Sequence, residues 1–344
     1  MKKVRARAPL RLGLAGGGTD LSPFCDQHGG NVLNYTVGVY ARVIIEERSD
    51  WRLLFNAADM ATADETMPLP ELPIDQGLAL HRGVYNRIVR DFNGGRPLAI
   101  TVVSSVDAPP GSGLGSSSAL VVALVKGFVE FLGLPLGDYD IARLAYEIER
   151  LDLGMAGGRQ DQYAAAFGGC NFIEFLPGDR VIVNPLRIHE AHRLELESSL
   201  VICHTGRSRI SSEIIAAQQA NLEQGHEDAF DAMQQLKREA VEMKLCLLNG
   251  DFRGIAEVLS RSWGAKKQTA AGVSNEHIER VYRTALDAGA LAGKISGAGG
   301  GGFLLLLTPP ECRHRVVAAL TREELTMLSC PLTERGAESW AVKA

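Results

Sequence analysis

A glycine- and serine-rich stretch that runs directly into an apolar segment constrains this chain more than any other feature. Residues 107–119 read Asp-Ala-Pro-Pro-Gly-Ser-Gly-Leu-Gly-Ser-Ser-Ser-Ala, and the segment that follows, Leu120 to Leu132, predicts a buried helix. Glycine permits positive φ angles and leaves backbone N–H groups open on one side. The first N–H groups of a helix lack partners within it, and the helix dipole adds partial positive charge there. The stretch therefore predicts an anion site suited to phosphate, with a tight turn into a buried helix as the alternative.

The stretch lacks the lysine that a Walker A motif places after its last glycine, because Ser116 stands at that position. The nearest downstream lysine, Lys126, falls well inside the predicted helix. Charge neutralisation must therefore come from elsewhere, or from the backbone together with a metal ion. The serine hydroxyls can cap the helix and still bind such a metal.

Composition excludes several other classes of protein. The net charge is −5, with 36 basic and 41 acidic side chains, which argues against nucleic acid as the main ligand. The six cysteines lie far apart, so they predict buried thiols of a reducing compartment and not a disulfide framework. Neither an export signal nor a run of about 18 apolar residues is found, which predicts a cytoplasmic protein without a membrane span.

Two further glycine clusters lie near the ends of the chain. The first follows a predicted strand, Val4 to Leu14, and reads Gly-Gly-Gly-Thr-Asp over residues 16–20. Successive glycines bring the backbone close to a ligand or to another strand. Asp20 could accept hydrogen bonds from sugar-like hydroxyls, or it could cap the short segment Leu21 to Gln27.

The second of these clusters, residues 294–303, contains a Gly-x-Gly-x-x-Gly pattern at Gly297, Gly299 and Gly302. A dinucleotide-binding fold requires a helix after that pattern, whereas Phe303 to Leu307 predicts a buried strand. We therefore expect a glycine turn between strands that contacts a ligand or the first cluster.

The order of the predicted elements favours an α+β fold. Strands dominate the first half, whereas the helices predicted from Ser211 onward do not alternate with strands, so the sheet is not doubly wound. Asp161 stands where a loop turns into a short helix, Gln162 to Phe167, a position typical of a capping carboxylate.

The order and spacing of the three clusters resemble the GHMP kinase superfamily over nearly the whole chain. The matching segments are Pro9 to Asp20, Pro109 to Ala119 and Lys294 to Phe303. The resemblance implies a ribosomal S5-like, ATP-binding N-terminal domain (1–190) and a ferredoxin-like C-terminal domain (191–344), with the site between them. It also implies transfer of the γ-phosphate of ATP to a small molecule, with Mg²⁺ as cofactor.

The resemblance assigns roles residue by residue. Asp161 becomes a catalytic carboxylate that could accept the proton of a substrate hydroxyl, with Arg11 as its partner. Glu149, which precedes Asp161 by 12 positions, and Ser117 become the Mg²⁺ ligands. The ATP phosphates are assigned to the central stretch: Pro110, Gly111, Ser112, Gly113, Leu114, Gly115, Ser116, Ser117 and Ser118.

One difference from galactokinases indicates a particular branch of the superfamily. Where galactokinases carry Glu-His before Thr-Asp, this chain has two glycines, which is similar to the D-glycero-D-manno-heptose 7-phosphate kinases and somewhat to fucokinases. That branch phosphorylates the C1 hydroxyl to give the 1,7-bisphosphate, for GDP-heptose and capsule or surface glycans. The substrate contacts that we expect on this basis are Gly17, Gly18, Thr19, Asp20, Gly158, Arg207, Arg209, Gly299 and Gly300.

Arg207 and Arg209 stand among small hydroxyl residues and could hold the 7-phosphate by charge-assisted bonds; a solvated turn is the alternative. The sequence also allows other functions. The chain could be a fucokinase- or galactokinase-like sugar-1-kinase, or a non-catalytic nucleotide or sugar sensor. The intact set of Arg11, Ser117, Glu149 and Asp161 argues against a sensor. An S5-like RNA-binding module is disfavoured by the acidic balance. The expected partners are ATP and a sugar phosphate, and a homodimer is left open.

Overall fold

The computed structural model describes residues 1–109, 111–206 and 211–343. Within these ranges the strands are β1 (Lys3–Ala15), β2 (Gly30–Glu47), β3 (Leu53–Ala57), β4 (Thr62–Thr66), β5 (Ile100–Val106), β6 (Cys170–Leu176), β7 (Arg180–Pro185), β8 (Leu200–His204), β9 (Ala292–Ile295), β10 (Phe303–Leu307), β11 (Thr326–Met327) and β12 (Glu338–Ala341). The α-helices are α1 (Phe24–His28), α2 (Ala79–Phe92), α3 (Ser116–Leu132), α4 (Asp138–Tyr146), α5 (Gln160–Phe167), α6 (Glu190–Ser199), α7 (Ser211–Glu223), α8 (Glu227–Asn249), α9 (Phe252–Thr269), α10 (Glu276–Asp287) and α11 (Arg313–Arg322). Short 3₁₀ turns span Ala58–Met60 and Pro310–Cys312.

The larger sheet is built around the long strand β2. Its strand order is β12-β1-β2-β5-β3-β4, and β6 pairs with β2 and with β7. The C-terminal half of β2 pairs with β5, whereas its N-terminal half pairs with β6. β1 runs along β2 with register shifts at Pro9/Leu10 and at Gly13/Ala15, so Arg11 lies between two irregularities of the sheet. Such irregularities redirect side chains, and they are common beside active sites.

The smaller sheet has the strand order β11-β8-β10-β9. In chain order the strands and helices of this half follow a β-α-β-β-α-β pattern, with α7 to α10 between β8 and β9 and α11 before β11. The predicted α+β fold with a ferredoxin-like second half is therefore confirmed.

The chain does not divide cleanly in two at the predicted position. The predicted boundary, 190/191, falls at the first residue of α6. The last strand, β12, pairs with β1 in the larger sheet, with Val4 opposite Ala341. The last strand of the predicted C-terminal domain, 191–344, therefore lies in the larger sheet. There it pairs with β1, which would otherwise be an exposed edge strand.

One apolar core joins the two halves. Helix α3 has almost no polar side chains beyond its first turn, and it is buried along most of its length against β1 and β2. The core around α3 also includes residues of α8, α9 and β10, among them Met243, Leu259 and Leu305. Close packing across both halves sets the relative position of the glycine clusters that they carry.

The elements differ from the sequence prediction in a few places. The apolar spacing of residues 140–151 predicts a single helix, whereas the structure has α4 followed by a π-helical turn, Glu147–Asp152. Strand β4 and helix α6 were not predicted; most residues of β4 are exposed, and α6 is highly charged, so neither carries a strong apolar period. In the part of the chain that the structure describes, no helix is long and apolar enough to cross a membrane.

Candidate functional site

A cavity of about 480 Å³ lies where the three glycine clusters meet. The central stretch contributes Gly111, Gly113, Gly115, Ser116, Ser117 and Ser118 to its lining. Arg11, Gly18, Asp20, Gly158 and Asp161 line it as well, together with Gly297 and Ala298 from the third cluster. The structure thus brings together residues that are up to 287 positions apart in the chain, from Arg11 to Ala298.

The central stretch has the geometry of an anion site. Gly113 and Gly115 have φ angles of 78° and 76°, and α3 begins directly after them at Ser116. A Cβ atom at Gly113 would collide with the carbonyl oxygen of Ser296, and one at Gly115 would lie 3.1 Å from the carboxyl carbon of Asp161. Because the first N–H groups of α3 have no partner within the helix, they are available to an anion in the cavity.

Two residues of this stretch do not face the cavity. Ser112 and Leu114 are fully buried, and their carbonyl oxygens accept hydrogen bonds from the N–H groups of Phe303 (3.0 Å) and Arg11 (3.0 Å). Their side chains do not line the cavity, because these residues anchor the loop to the neighbouring strands, and their contact with phosphate stays a prediction. Pro110 lies outside the described residues.

The third cluster contacts the central stretch and not the first cluster. A Cβ at Gly302 would clash with the carbonyl oxygen of Ser112, and the Ser296 hydroxyl donates to the Gly113 carbonyl at 3.0 Å. Gly299 and Gly300 are buried against Val273, whose carbonyl oxygen accepts from the Gly300 N–H at 2.7 Å. They do not line the cavity, so their prediction as substrate contacts is not supported by their position.

Arg11 and Asp161 form an ion pair at the wall of the cavity. Asp161 Oδ1 accepts from Arg11 Nε at 2.7 Å and lies 2.6 Å from Nη2. Arg11 is 4% exposed, and its Nη1 also donates to the Gly113 carbonyl at 2.7 Å. Asp161 Oδ2 accepts no hydrogen bond from the residues that the structure describes. The arrangement fixes the carboxylate and leaves one of its oxygens open toward the cavity.

Glu149 lies in the π-helical turn, fully buried behind the start of α3. Ser117 Oγ donates to Oε1, while Ser118 Oγ and Gln162 Nε2 both donate to Oε2 at 2.7 Å. The Arg150 guanidinium is 3.2 Å from Oε1. Ser117 therefore lines the cavity with Glu149 directly behind it, and the two oxygen donors predicted as metal ligands are adjacent. π-Helical turns often mark functional sites.

Asp20 has a different structural role from either predicted one. Its Oδ1 accepts from Gly18 N (3.2 Å) and Gln160 Nε2 (2.9 Å), and its Oδ2 accepts from Arg159 N (2.9 Å) and Gln160 N (3.0 Å). Asp20 thus caps α5, the helix that carries Asp161, and not the segment after it. A Cβ at Gly158 would collide with this carboxylate, which explains the glycine there.

Thr19 does not reach the cavity. Its hydroxyl donates to the Gly16 carbonyl at 2.8 Å and accepts from the Asn31 N–H at 3.0 Å, and its side chain is buried. Thr19 therefore holds the first glycine cluster against β2, and its position does not support the predicted contact with substrate. Gly17 also does not line the cavity, whereas Gly18 does.

Two buried lysines near the cavity were not predicted from the sequence. Lys266 on α9 is 4% exposed and lines the cavity, and burial lowers its pKa to about 8. Lys294 on β9 is 5% exposed, and burial lowers its pKa to about 7, helped by the nearby charges of Lys266 and Arg11. Lys266 therefore adds positive charge to the lining of the cavity. In the sequence, Lys266 follows Leu259 and Trp263 at helical spacing, which places the three residues on the same, buried face of α9.

Helix α7 forms one further wall of the cavity through Ser211, Ser212, Ile215 and Gln218. Gln218 is 1% exposed, its Nε2 donates to Thr269 Oγ1 at 2.7 Å, and its Oε1 has no partner among the described residues. Arg207 and Arg209, predicted to hold a sugar's phosphate, precede this helix and lie outside the described residues.

Two family models match the chain: GHMP kinases N terminal domain over residues 79–169, and GHMP kinases C terminal over residues 243–325. The D-glycero-alpha-D-manno-heptose 7-phosphate kinase of Campylobacter jejuni is 44% identical over 99% of this chain and 100% of its own length. A crystal structure described as a D-glycero-D-manno-heptose 1-phosphate kinase from Bacteroides thetaiotaomicron has a TM-score of 0.84 at 42% identity, covering 99% of this chain and 100% of that one. Galactokinase from Lactococcus lactis, at 16% identity and a TM-score of 0.75 over 98% of this chain and 95% of that one, shares the fold.

Proposed function

The chain belongs to the GHMP kinases, and on that premise we propose that it transfers the γ-phosphate of ATP to the C1 hydroxyl of D-glycero-D-manno-heptose 7-phosphate. The product would be the 1,7-bisphosphate. The family resemblance inferred from the three glycine clusters is thereby confirmed. Two relatives that are 44% and 42% identical over 99% of this chain are named as kinases of heptose phosphates, which supports a heptose phosphate as the acceptor.

The observation that carries the proposal is the Asp161 carboxylate, held by Arg11 beside the start of α3. Phosphoryl transfer depends chiefly on positioning and on neutralisation of charge. With the triphosphate on the N–H groups of Ser116 to Ser118, a sugar hydroxyl at Asp161 Oδ2 would be directed at the γ-phosphorus. Oδ2 would accept the hydroxyl proton as the oxygen attacks.

Of the two predicted magnesium ligands, Ser117 lines the cavity and is placed to contact the ion, whereas the buried Glu149 accepts hydrogen bonds at both oxygens and supports Ser117 from behind. A hydroxyl and a carboxylate are the oxygen ligands that Mg²⁺ takes, and it usually keeps phosphate and water oxygens as well. Among the described residues no group of three or more His, Cys, Asp or Glu forms a metal cage, which agrees with a site completed by the nucleotide. When bound, Mg²⁺ would neutralise charge on the phosphates, while Ser117, supported by Glu149, would hold it beside α3.

A sugar panel tests the proposed acceptor. ADP release is measured with heptose 7-phosphate, unphosphorylated heptose, fucose, galactose and mevalonate, and the product is identified by phosphorus NMR. We expect heptose 7-phosphate to have the highest kcat/KM and the new phosphate to be on C1. A higher kcat/KM with fucose or galactose, or a new phosphate at another position, would contradict the proposal.

A further inference from the structure

The ammonium group of Lys266 occupies the space left by the bare backbone of the first glycine cluster. Its Nζ donates to the Gly17 carbonyl at 2.9 Å, and a Cβ at Gly18 would lie 2.8 Å from it. The lysine comes from α9, about 250 positions further along the chain. Gly18 therefore does more than permit a turn, because any side chain there would compete with the lysine for the same volume.

The charge of Lys266 is only partly offset within the protein, by the nearby carboxylate of Asp20. An ammonium group has three N–H donors, of which the Gly17 carbonyl takes one. Lys266 forms no ion pair with a described carboxylate, and the nearby Asp20 already accepts four hydrogen bonds. Arg11 and Lys294 lie close enough to oppose its charge. A buried cation with spare donors is unfavourable alone, so this end of the cavity favours an anion.

The position of Lys266 indicates whether this anion belongs to the nucleotide or to the acceptor. The nucleotide end of the cavity is marked by Gly113 and Gly115, which contact Arg11 and Asp161 directly. Lys266 instead contacts the first glycine cluster, and its carbonyl accepts from Thr269, which in turn bonds Gln218 of α7. Gln219 of the same helix donates to the Ser22 carbonyl at 3.0 Å. Lys266 thus belongs to the acceptor end, enclosed by α7, α9 and residues 17–22.

We propose that Lys266 binds the phosphate that the acceptor sugar already carries, and so selects a sugar phosphate over the free sugar. This inference rests on the proposed function and deepens it, since it assigns the residue that recognises the phosphate which is not transferred. The Lys266 ammonium supplies the charge, and the open Gln218 Oε1 accepts from a neighbouring sugar hydroxyl. Ser211 and Ser212 at the start of α7 complete the pocket.

The test compares two sugars in three variants. Lys266→Met removes the charge and keeps the length, whereas Lys266→Gln keeps an N–H donor for Gly17 should methionine disturb the fold. Lys267→Met is the matched control, because Lys267 is the next residue of α9 and pairs instead with Glu279 at 3.2 Å. Each variant is assayed with heptose 7-phosphate and with unphosphorylated heptose, and its affinity for a non-hydrolysable ATP analogue is measured as a check on folding.

We expect the Lys266 variants to lose about 100-fold in kcat/KM for heptose 7-phosphate, since a buried charge-assisted contact is removed. For unphosphorylated heptose the change should stay within about threefold, and the control should behave like the wild type for both sugars. An equal loss with both sugars, or no loss with the phosphorylated one, would overturn the inference.

Failure of the proposed function is distinguishable from failure of this inference. Absence of wild-type turnover with heptose 7-phosphate would contradict the proposed function alone. Binding of inorganic phosphate, measured by calorimetry in the presence of saturating ATP analogue, examines the lysine whatever the sugar is. Weaker phosphate binding in Lys266→Met than in Lys267→Met supports the inference, and equal binding overturns it.

Discussion

The two ends of the cavity are built in different ways. The proposed nucleotide end is a continuous stretch, residues 111–118, in which backbone N–H groups and positive φ angles would provide the anion site. The proposed acceptor end is assembled from side chains of distant elements, chiefly Gln218 and Lys266. A backbone site can be read from local sequence and serves any nucleoside triphosphate. A side-chain site can change its specificity without a change of fold, which agrees with one fold serving several kinds of acceptor.

The largest effect is expected where the two ends meet, at Asp161. Asp161→Asn keeps the shape but removes the charge, so we expect kcat to fall by about 10³-fold, within the range of general acid–base contributions. Affinity for the ATP analogue should be unchanged, because the nucleotide end does not need this charge. Asp138→Asn, at an exposed position of α4, is the control. Near-normal turnover of Asp161→Asn would remove that residue from catalysis.

The next largest effect is expected at the nucleotide end, where two glycine substitutions distinguish distortion of the anion site from backbone strain alone. Gly113→Ala places a Cβ against the Ser296 carbonyl, and we expect about 100-fold weaker binding of the ATP analogue, since the anion site is distorted. Gly133→Ala, at the other end of α3, has a similar φ of 70° but nothing within 4 Å of its Cβ. It should lose stability without losing nucleotide affinity. Equal affinities in the two variants would show that the loop is not the nucleotide site.

A smaller effect is expected at Asp20, and it decides to which end this residue belongs in function. If Asp20 acts by capping α5 and so positioning Asp161, Asp20→Asn lowers kcat by about tenfold and leaves the KM for the sugar nearly unchanged. A raised KM with an unchanged kcat would make Asp20 a direct sugar ligand, as the sequence suggested, and would contradict the positioning role.

The smallest effect is the pH dependence of the acceptor end. The pKa of Lys266 is lowered to about 8, so the lysine is charged below that pH and loses its proton above it. The charged groups that face it are Asp20, Arg11 and Lys294. We expect kcat/KM for heptose 7-phosphate to fall about fivefold between pH 8 and pH 9, whereas affinity for the ATP analogue stays level. The fall should be absent in Lys266→Met, and its persistence there would assign it to another group.

The sequence allowed the conformation of the central stretch to be predicted, because a glycine turn that leads into an apolar helix is a local feature. The structure places this stretch at the cavity, and its binding of the nucleotide stays a prediction. The pairing of Arg11 with Asp161 followed from the family resemblance and not from spacing. Their catalytic roles, like those of Ser117 and Glu149, remain predictions.

The acceptor end could not be predicted to the same depth, because it depends on tertiary contacts. The partners of Asp20 lie about 140 positions away, so no local pattern shows that it caps α5. Lys266 looks like an ordinary helical lysine until the buried face of α9 is known. Gly299 and Gly300 look like ligand contacts, yet a Cβ at Gly299 would meet Val273, and the Gly300 N–H donates to the Val273 carbonyl. A glycine that makes room for protein cannot be distinguished from one that makes room for substrate by sequence alone.

The most direct test of the central claim is a crystal structure of the protein with a non-hydrolysable ATP analogue and heptose 7-phosphate. We predict the γ-phosphate at the N–H groups of Ser116 to Ser118, and the C1 hydroxyl within about 3 Å of Asp161 Oδ2. A triphosphate bound elsewhere, or a sugar whose hydroxyls lie out of reach of that carboxylate, would contradict it.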